Sequence, residues 1–427
     1  MKTIIKQTYQ QLKEQPLISI VSIAGTALSL FLIMLVVMIQ QVKVAPFSPE
    51  SNRDRMLHVK YGSLKNKYGE SNGPMSLAAI NAIYKNMKTP EAVTIYTFYT
   101  TRQPLSTSGT KSFTADVKLT DAAFWHVFDF EYIYGKPYNE ANFKAGIPLA
   151  VISRSTARRL FNTTENVAGR TFMLKHIPYK VAAVVNDVST LATIAYSQIW
   201  IPYTTDREIC NNIWENIMGA FSTTILMHTP KDESRVHAEA EANLNKFNLT
   251  IKNSGIELLN RNRPYNTEKE SINFGANLEP DVTAEHRTQL IIFLILLIVP
   301  AVNLSSMTHS RLRQRISEIG IRRAFGCTQW SIASQIITEN MIVTLCAGAL
   351  GLIMSIVCGY CFNNSLFTPA YFYSYNDAPI TNISILIHIS TFVYALAFCF
   401  VLNLISTGIP AWQACKTSII NDLNGKK

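Results

Sequence analysis

The sequence predicts a membrane protein with four transmembrane α-helices and one large α+β domain outside the bilayer. Four apolar runs lie at about 17–39, 290–307, 340–361 and 383–409. Each approaches the ~20 residues that a helix needs to cross a bilayer. A mostly polar stretch, residues 41–287, separates the first two runs, whereas short segments separate the others. Because a soluble enzyme does not collect its apolar residues in four such blocks, we expect one large domain carried by membrane helices.

The basic residues predict the orientation in the membrane. The formal net charge of +10 could by itself indicate nucleic-acid binding. The charges instead flank the apolar runs: Lys2, Lys6 and Lys13 before the first, Arg311, Arg313, Arg315, Arg322 and Arg323 after the second, and Lys416, Lys426 and Lys427 after the fourth. The segment 362–381 contains no Lys or Arg. Since cytoplasmic loops carry the excess of basic residues, both termini and residues 308–335 are expected in the cytoplasm.

The first run is expected to stay in the protein as the first membrane helix, TM1, at 17–40. It is longer than the ~7–15-residue apolar core of a cleaved signal peptide. Before it, residues 1–16 place Ile5, Tyr9 and Leu12 on one face of a short amphipathic helix. We expect this helix to lie along the inner membrane surface.

Small residues in two of the runs favour close helix packing. Gly25 and Ser29 are four residues apart in the first run, and the third run contains Ala347, Gly348 and Gly351. Small side chains let the backbones of membrane helices approach one another, so we expect a packed bundle.

The external domain shows two strand-and-helix units around a different central block. The predicted elements are a helix at 76–88 and strands at 91–99 and 112–119, followed in the second unit by a strand at 222–228 and a helix at 232–247. The central block, about 121–215, contains a predicted helix at 153–161 and a hairpin in which apolar residues alternate between Phe172 and Val185. We therefore expect a β-α-β scaffold with an inserted β-rich module. The polar residues 250–287 are expected to lead back to the membrane.

Cysteine usage excludes an internal disulfide in the external domain. Of the seven cysteines, only Cys210 lies within it, so its stability must come from its apolar core. Cys358 and Cys361 form a C-x-x-C in the third run. A redox or metal role would need further ligands nearby in the sequence, so we interpret this pair as part of the helix packing.

The segment 311–326 carries the strongest functional signal. Leu312, Ile319 and Phe325 recur at helical spacing among charged residues, and Gly326 suits a helix end that needs a left-handed conformation. Such an apolar ridge can sit in a groove of a soluble partner while the charges set its register. By composition alone, a solvated basic loop that only sets the topology explains the pattern equally well.

Several parts of the chain resemble the MacB/FtsX-type ABC transporter permeases. The segment Glu318–Gly326, E-I-G-I-R-R-A-F-G, is similar to the family signature E-I-G-I-R-K-A-L-G. Gln335 and Glu339 have the spacing of the family's Q-x-x-x-E, and residues 410–414, P-A-W-Q-A, resemble its P-A-W-R-A. In the external domain, the segments that resemble the MacB-like periplasmic core are 149–161, 167–170 and 179–187.

The resemblance implies a four-helix permease, usually dimeric, whose coupling helix docks on a cytoplasmic ATPase. The external domain would have porter-like flanks and a sabre-like insert at about 121–215. The implied permease domain, 288–427, comprises TM2 at 288–307, the coupling helix at 311–326, TM3 at 338–361, TM4 at 383–409 and a cytoplasmic tail at 410–427. The residues implied to contact the ATPase are Arg315, Glu318, Ile319, Gly320, Ile321, Arg322, Arg323, Phe325 and Gly326. Proteins of this kind work by mechanotransmission, in which ATP-driven dimerisation below the membrane moves the domains above it.

Missing motifs argue against several enzyme classes. The sequence has no G-x-x-x-x-G-K-[ST] phosphate loop, so we expect no ATPase activity here and assign ATP and Mg²⁺ to a separate partner subunit. No cofactor or metal is expected to bind directly. No Ser-His-Asp or H-E-x-x-H pattern indicates another enzyme. Ionisable residues in the apolar runs are limited to His388 and Glu339, unlike an ion-coupled carrier.

Two functions remain after these exclusions. The first is a permease subunit of the bacterial inner membrane that exports an antibiotic, peptide or lipoprotein. In an efflux system it would also work with a periplasmic adaptor and an outer-membrane channel. The alternative is a non-transporting FtsX-like regulator of a periplasmic partner, such as a cell-wall hydrolase. The large two-part external domain favours export.

Overall fold

The computed structural model describes residues 16–107, 112–211, 213, 217–273, 275–314, 321–322, 324–362 and a few positions between 393 and 404. The chain forms two compact units. One contains the long apolar helices, and the other is built mainly from residues 43–283.

The helical unit contains three long helices among the described residues. They are α1 (Pro16–Val44), α9 (Val282–Gln314) and α10 (Gln329–Cys361), the remaining helix numbers belonging to the other unit. Two stretches are long and apolar enough to cross a membrane, Ile23–Val44 and Trp330–Cys361. They cover the first and third predicted spans, and α9 contains the run predicted as TM2. The predicted helix before Pro16, most of TM4 and the tail at 410–427 lie outside the described residues.

A glycine lets α10 approach α1 closely. A Cβ added at Gly351 would lie 2.9 Å from the carbonyl oxygen of Ala27 and 3.1 Å from the backbone nitrogen of Phe31. Ala27 and Ala347 are buried in the same unit. Of the small residues singled out in the sequence, Gly351 therefore lies at a close helix contact.

The second unit is an α+β domain. Its strands are β1 (Met56–Val59), β2 (Gly62–Asn66), β3 (Gly69–Gly73), β4 (Ala92–Thr97), β5 (Thr101–Ser106), β6 (Phe113–Thr120), β7 (Tyr132–Gly135), β8 (Leu149–Ser153), β9 (Thr171–Leu174), β10 (Ile177–Val185), β11 (Ile199–Pro202), β12 (Phe221–Leu226), β13 (Glu257–Leu259) and β14 (Tyr265–Asn266). Its helices are α2 (Leu77–Ile80), which continues as a π-helical turn to Lys85, α3 (Phe124–Val127), α4 (Glu140–Lys144), α5 (Arg154–Phe161), α6 (Arg207–Cys210), α7 (Glu233–Ile251) and α8 (Thr267–Ser271). The elements predicted from local periodicity are present: both strand-and-helix units, the helix near 153–161 and the hairpin β9–β10.

One sheet has an open half and a closed half. In the open half the order is β6-β4-β12-β1-β14, with antiparallel pairing. In the other half β6, β5, β9, β10, β8 and β11 pair in sequence, and β11 pairs back to β6. These six strands therefore form a closed ring, which we call the six-strand ring. Closure leaves the ring without a free edge of its own.

The six-strand ring differs from the predicted insert at 121–215. β5 and β6 precede residue 121, yet they pair along five register positions with each other and belong to the ring. In the open half β6 has a single register pair, Thr120 with Tyr96, and the N–H of Leu119 also donates to the Thr97 hydroxyl. The alternation in β6 predicted a strand but could not indicate its neighbours, so the sequence placed it in the scaffold.

The stretch after α7 is more integrated than expected. Residues 250–287 were expected only to lead back to the membrane, but Leu258 pairs with Leu64 and Tyr265 pairs with His58. The Asn248 side chain also makes two hydrogen bonds of 2.9 Å to the backbone of Leu258. Short strands of two or three residues leave too little periodicity to be recognised in a sequence.

We predict that residues 43–285, expressed without the apolar runs, fold as a soluble domain that needs no disulfide. One apolar core runs through both halves of the sheet, from Leu57 and Ile225 to Ile152 and Val181, and Cys210 is a free thiol. Thermal unfolding followed by circular dichroism should be cooperative and unchanged by reductant. A segment that stays unfolded in mild buffers would contradict this prediction.

Glu270 in α8 gives the domain a pH-dependent stability. Its carboxylate lies 3.9 Å from the Lys60 ammonium and accepts a 3.2 Å hydrogen bond from Asn273. Burial outweighs these contacts and raises the pKa of Glu270 to about 7. Between its ordinary value and about 7, the folded state keeps a proton that the unfolded state releases. The contribution of Glu270 to stability should therefore fall as the pH rises through this range, opposite in sign to that of His58, whose pKa is lowered by burial to about 4.

Glu270→Gln should remove this dependence. The variant is expected to match the parent near pH 4 and to exceed its free energy of unfolding at pH 8 by roughly 3 kcal/mol, because an ionised buried carboxylate is gone. Denaturant unfolding of residues 43–285 at several pH values measures the difference. Glu268→Gln on the same helix is the control, since Glu268 is exposed. Equal pH profiles for Glu270→Gln and the parent would contradict the prediction.

Candidate functional site: the coupling turn and a buried ion pair

The predicted coupling segment ends in a capped turn. The backbone N–H of Phe325 donates to the carbonyl of Ile321 at 3.1 Å, and that of Cys327 donates to the carbonyl of Arg322 at 3.0 Å. Between these donors Gly326 has a φ of 90°. This is a Schellman-type helix end, in which a left-handed residue lets the following N–H reach back to the last turn. The left-handed glycine expected at this position is confirmed.

The turn leads directly into α10. Thr328 caps that helix through a 3.3 Å bond from the N–H of Ser331 to its hydroxyl. From the turn, Arg322 donates to the side-chain oxygen of Gln335 at 3.1 Å, and Gln335 donates to Glu339 at 3.0 Å. Gln335 and Glu339 are the two positions of the Q-x-x-x-E spacing. In this structure they tie Arg322 and its turn to the second and third turns of α10.

Apolar side chains project into solvent around this anchored turn. The exposed fractions are 49% for Ile321, 88% for Phe325 and 69% for Trp330. Cys327 instead packs inward against Ile332. We call residues 321–330 the coupling turn. The sequence analysis missed Trp330, although an aromatic residue four positions after the signature glycine could have been noticed as part of the same surface.

The remaining predicted contact residues are not all described. Ile321, Arg322, Phe325 and Gly326 lie together in the coupling turn. The residues outside the described part of the chain are Arg315, Glu318, Ile319, Gly320 and Arg323. Their role in docking stays a prediction. In the described residues, no group of three His, Cys, Asp or Glu side chains is arranged to hold a metal ion.

A buried ion pair in the α+β domain was not predicted at all. Arg53 and Glu50 are 4% and 3% exposed, and their charged groups are 2.7 Å apart. The Arg53 guanidinium also donates to the carbonyl oxygens of Ala45 at 3.0 Å and Leu191 at 3.0 Å. It lies over the ring of Phe47, 4.3 Å from its centroid. Arg53 thus joins the start of the domain to the loop between β10 and β11.

Glu50 completes the same network from the other side. Its carboxylate accepts hydrogen bonds from the backbone N–H groups of Ile194 at 3.0 Å and Ala195 at 2.9 Å. The buried Lys118 ammonium donates to the carbonyl of Ile194 and lies over the ring of Tyr96. Burial lowers the pKa of Lys118 to about 8. The loop at 191–195 is therefore held by charged side chains from two distant parts of the sequence.

We predict that breaking the pair is far more costly than breaking a surface pair. Arg53→Met leaves the Glu50 carboxylate buried without its cation, so the free energy of unfolding of residues 43–285 should fall by about 3–5 kcal/mol. The control is Lys144→Met, which removes the cation of an exposed pair 3.3 Å from Glu140 and should change stability by less than about 1 kcal/mol. Denaturant titration measures both. Equal effects of the two substitutions would contradict the prediction.

Two family descriptions match the chain. A MacB-like periplasmic core domain matches residues 19–243, and an FtsX-like permease C-terminal domain matches residues 290–419. The first match alone covers more than half of the sequence. The first match includes most of α1 and the larger part of the α+β unit, and the second match includes the coupling turn.

Two curated relatives are full ATP-binding and permease proteins. The macrolide export ATP-binding/permease protein MacB of Burkholderia cenocepacia (strain HI2424) is 24% identical over 56% of this chain and 33% of its own length. The pyoverdine export ATP-binding/permease protein PvdT of Pseudomonas fluorescens (strain Pf0-1) is 23% identical over 56% of this chain and 34% of its own length. The match thus spans about a third of the length of these relatives.

Part of the chain is also similar to a solved structure. The periplasmic region of MacB from Actinobacillus actinomycetemcomitans aligns with 47% of this chain and 89% of that chain, at 17% identity and a TM-score of 0.33. The family assignment itself rests on the two domain matches, which cover most of the sequence in the expected order. The chain therefore belongs to the MacB/FtsX-type family of ABC-transporter permeases.

Proposed function

We propose that this chain is the permease subunit of a mechanotransmission-type ABC transporter and that its coupling turn docks on a separate cytoplasmic ATPase. The observation that carries the proposal is the exposure of Phe325 and Trp330 on a turn that is capped by Gly326 and bonded to α10 through Arg322. An exposed aromatic pair held by a rigid support is suited to a partner's groove.

The composition of the coupling turn supports docking over simple solvation. Aromatic residues and arginine are the residue types that carry most binding energy at protein interfaces. A short helix that presents an apolar ridge to a groove is a recurring mode of recognition. The anchoring of Arg322 by Gln335 means that little side-chain freedom would be lost on binding, which favours affinity.

The nucleotide chemistry belongs to the partner in this proposal. The sequence contains no phosphate-loop motif, so this chain supplies no known cradle for ATP or Mg²⁺. ATP hydrolysis by the partner would displace the coupling turn, and α10 would carry that displacement into the bilayer. Motion of the α+β domain on the far side would then act on the substrate.

The orientation follows from charge. Five arginines between residues 311 and 323 favour a cytoplasmic coupling turn, both termini would lie on the same side, and the α+β domain would lie in the periplasm. The proposed location is the bacterial inner membrane, with four spans and a permease dimer as the working unit. Two relatives are named for macrolide and pyoverdine export. We propose an antibiotic, a peptide or a lipoprotein as substrate here, with a periplasmic adaptor and an outer-membrane channel as further partners.

The coupling turn can be tested with its ATPase. The double variant Phe325→Ala, Trp330→Ala should weaken binding of the ATPase subunit to the permease in lipid nanodiscs by about 30-fold or more, because both anchors are removed. It should also lower ATP hydrolysis by the complex. Binding is measured by biolayer interferometry and hydrolysis by phosphate release.

The matched control is Tyr68→Ala, which removes an aromatic side chain of similar exposure from the α+β domain. It should leave the affinity for the ATPase unchanged. Normal binding by the double variant would disprove docking at the coupling turn. Robust ATP hydrolysis by the purified permease alone would disprove the assignment of nucleotide chemistry to a partner.

A further inference from the structure

A cavity of about 290 Å³ opens at one end of the six-strand ring. Side chains normally fill the interior of a small closed ring, and the mouths of such barrels are frequent ligand sites. Val117, Leu119, Leu174 and Ile201 from three strands form its apolar inner wall, and Ile177 stands at its opening. The volume suits one or two apolar side chains rather than a large ligand.

Two polar side chains face this apolar wall from β5. Thr101 and Gln103 both line the cavity. In the described part of the chain, neither the Thr101 hydroxyl nor the Gln103 carboxamide makes a hydrogen bond to another residue. A carboxamide offers both a donor and an acceptor, as does a hydroxyl. Together they match a ligand group that also donates and accepts, which is the property of a peptide unit.

The rim of the cavity carries charges of both signs. Lys175 and Asp206 form an ion pair across it, with the ammonium and carboxylate 3.7 Å apart. Next to them Arg207 and Glu208 are exposed, and neither forms an ion pair with any described residue. A zwitterionic group at the rim could therefore meet a cation and an anion at once.

The turn that brings Lys175 to the rim is conformationally costly. Lys175 and His176 join β9 to β10 with φ values of 47° and 65°. Two-residue hairpin turns of this kind favour Asn and Gly, because a left-handed conformation costs other residues roughly 1–2 kcal/mol each. Residues held in sparsely populated backbone conformations cluster at binding sites, so Lys and His at these two positions point to a role for their side chains at the rim.

From these observations, we propose that the mouth of the six-strand ring binds a short zwitterionic apolar peptide. An apolar side chain enters the cavity against Leu119 and Ile201, a peptide group bonds to Gln103 and Thr101, and the terminal carboxylate and ammonium lie near Arg207 and Glu208 respectively. A lipid tail fits less well, because it would leave the two polar side chains buried without partners. The proposal concerns the α+β domain alone and holds whether or not the coupling turn docks on an ATPase.

The test uses methyl NMR on the full chain in lipid nanodiscs, with ¹³C-labelled isoleucine methyl groups. The probe is the zwitterionic dipeptide Leu-Phe, and decanoate is titrated separately as the lipid-like alternative. We expect the dipeptide to shift the methyl signals of Ile177, Ile201 and Ile209 in a saturable manner. The signals of Ile95 and Ile225, which are buried in the open half of the sheet, should not move.

Two variants and one control make the result specific. Ile177→Ser removes part of the apolar opening and should weaken dipeptide binding by about tenfold. Gln103→Met keeps the size of the side chain but removes its hydrogen bonds, and should also weaken binding. Met173→Ser changes a similarly exposed apolar residue on the same hairpin that does not line the cavity, so it should have no effect. Unchanged Ile95 and Ile225 signals verify that each variant is folded.

Three results would overturn the proposal. The first is the absence of shifts at Ile177, Ile201 and Ile209 up to the solubility limit of the dipeptide. The second is an equal loss of binding in Met173→Ser and Ile177→Ser, which would place the contact outside the cavity. The third is a saturable response to decanoate without one to the dipeptide, which would assign the cavity to a lipid tail.

Discussion

The buried pair of Arg53 and Glu50 is the interaction that joins the start of the α+β domain to the loop between β10 and β11. Removing two charges from water is unfavourable, and the cost is offset only when every remaining donor and acceptor finds a partner. Here the partners are backbone groups of residues 45, 191, 194 and 195, which lie far apart in the sequence. The pair therefore stabilises one particular arrangement of the entering chain and the β10–β11 loop, because any other arrangement leaves a charge unpaired.

The ring and the open half of the sheet bury their apolar residues in different ways. Beside the open half, α7 packs against the π-helical turn that follows α2 and buries Val236, Ala240 and Leu244 in the common apolar core. The six-strand ring is closed, so its apolar residues face one another and α5 and α6 are only short additions at its ends. A closed arrangement tolerates a cavity at its mouth, since the hydrogen bonds around the ring maintain its shape without a fully packed interior. The coupling turn is held differently, by a helix cap and a chain of side-chain hydrogen bonds.

The features that could be predicted from the sequence are those that depend on residues close together in the chain. The alternation from Phe172 to Val185 predicted a hairpin, and the glycine of the E-I-G-I-R-R-A-F-G segment predicted a left-handed helix end. Closure of β11 on β6 could not be predicted, because strand partners far apart in sequence leave no local period. For the same reason Arg53 and Glu50 looked like ordinary loop charges, since nothing in residues 46–55 reveals that a loop 140 residues later would bury them. Trp330 could have been identified from the sequence, but it lies four residues beyond the segment Glu318–Gly326 that resembles the family signature.

The route of the chain through the sheet places the two ends of the segment 98–220 side by side. The chain leaves the open half after Thr97 and returns at Phe221, and these two residues are register partners on β4 and β12. The chain between them contains the six-strand ring and its cavity. It therefore leaves and rejoins the open half at one register pair of β4 and β12. Insertions whose ends lie together are readily accommodated, because the host strands need not move to receive them. The segment 98–220 therefore leaves and rejoins the open half side by side, but it is not independent of its host, because Glu50 and Arg53 hold its loop at 191–195 and Thr120 pairs with Tyr96.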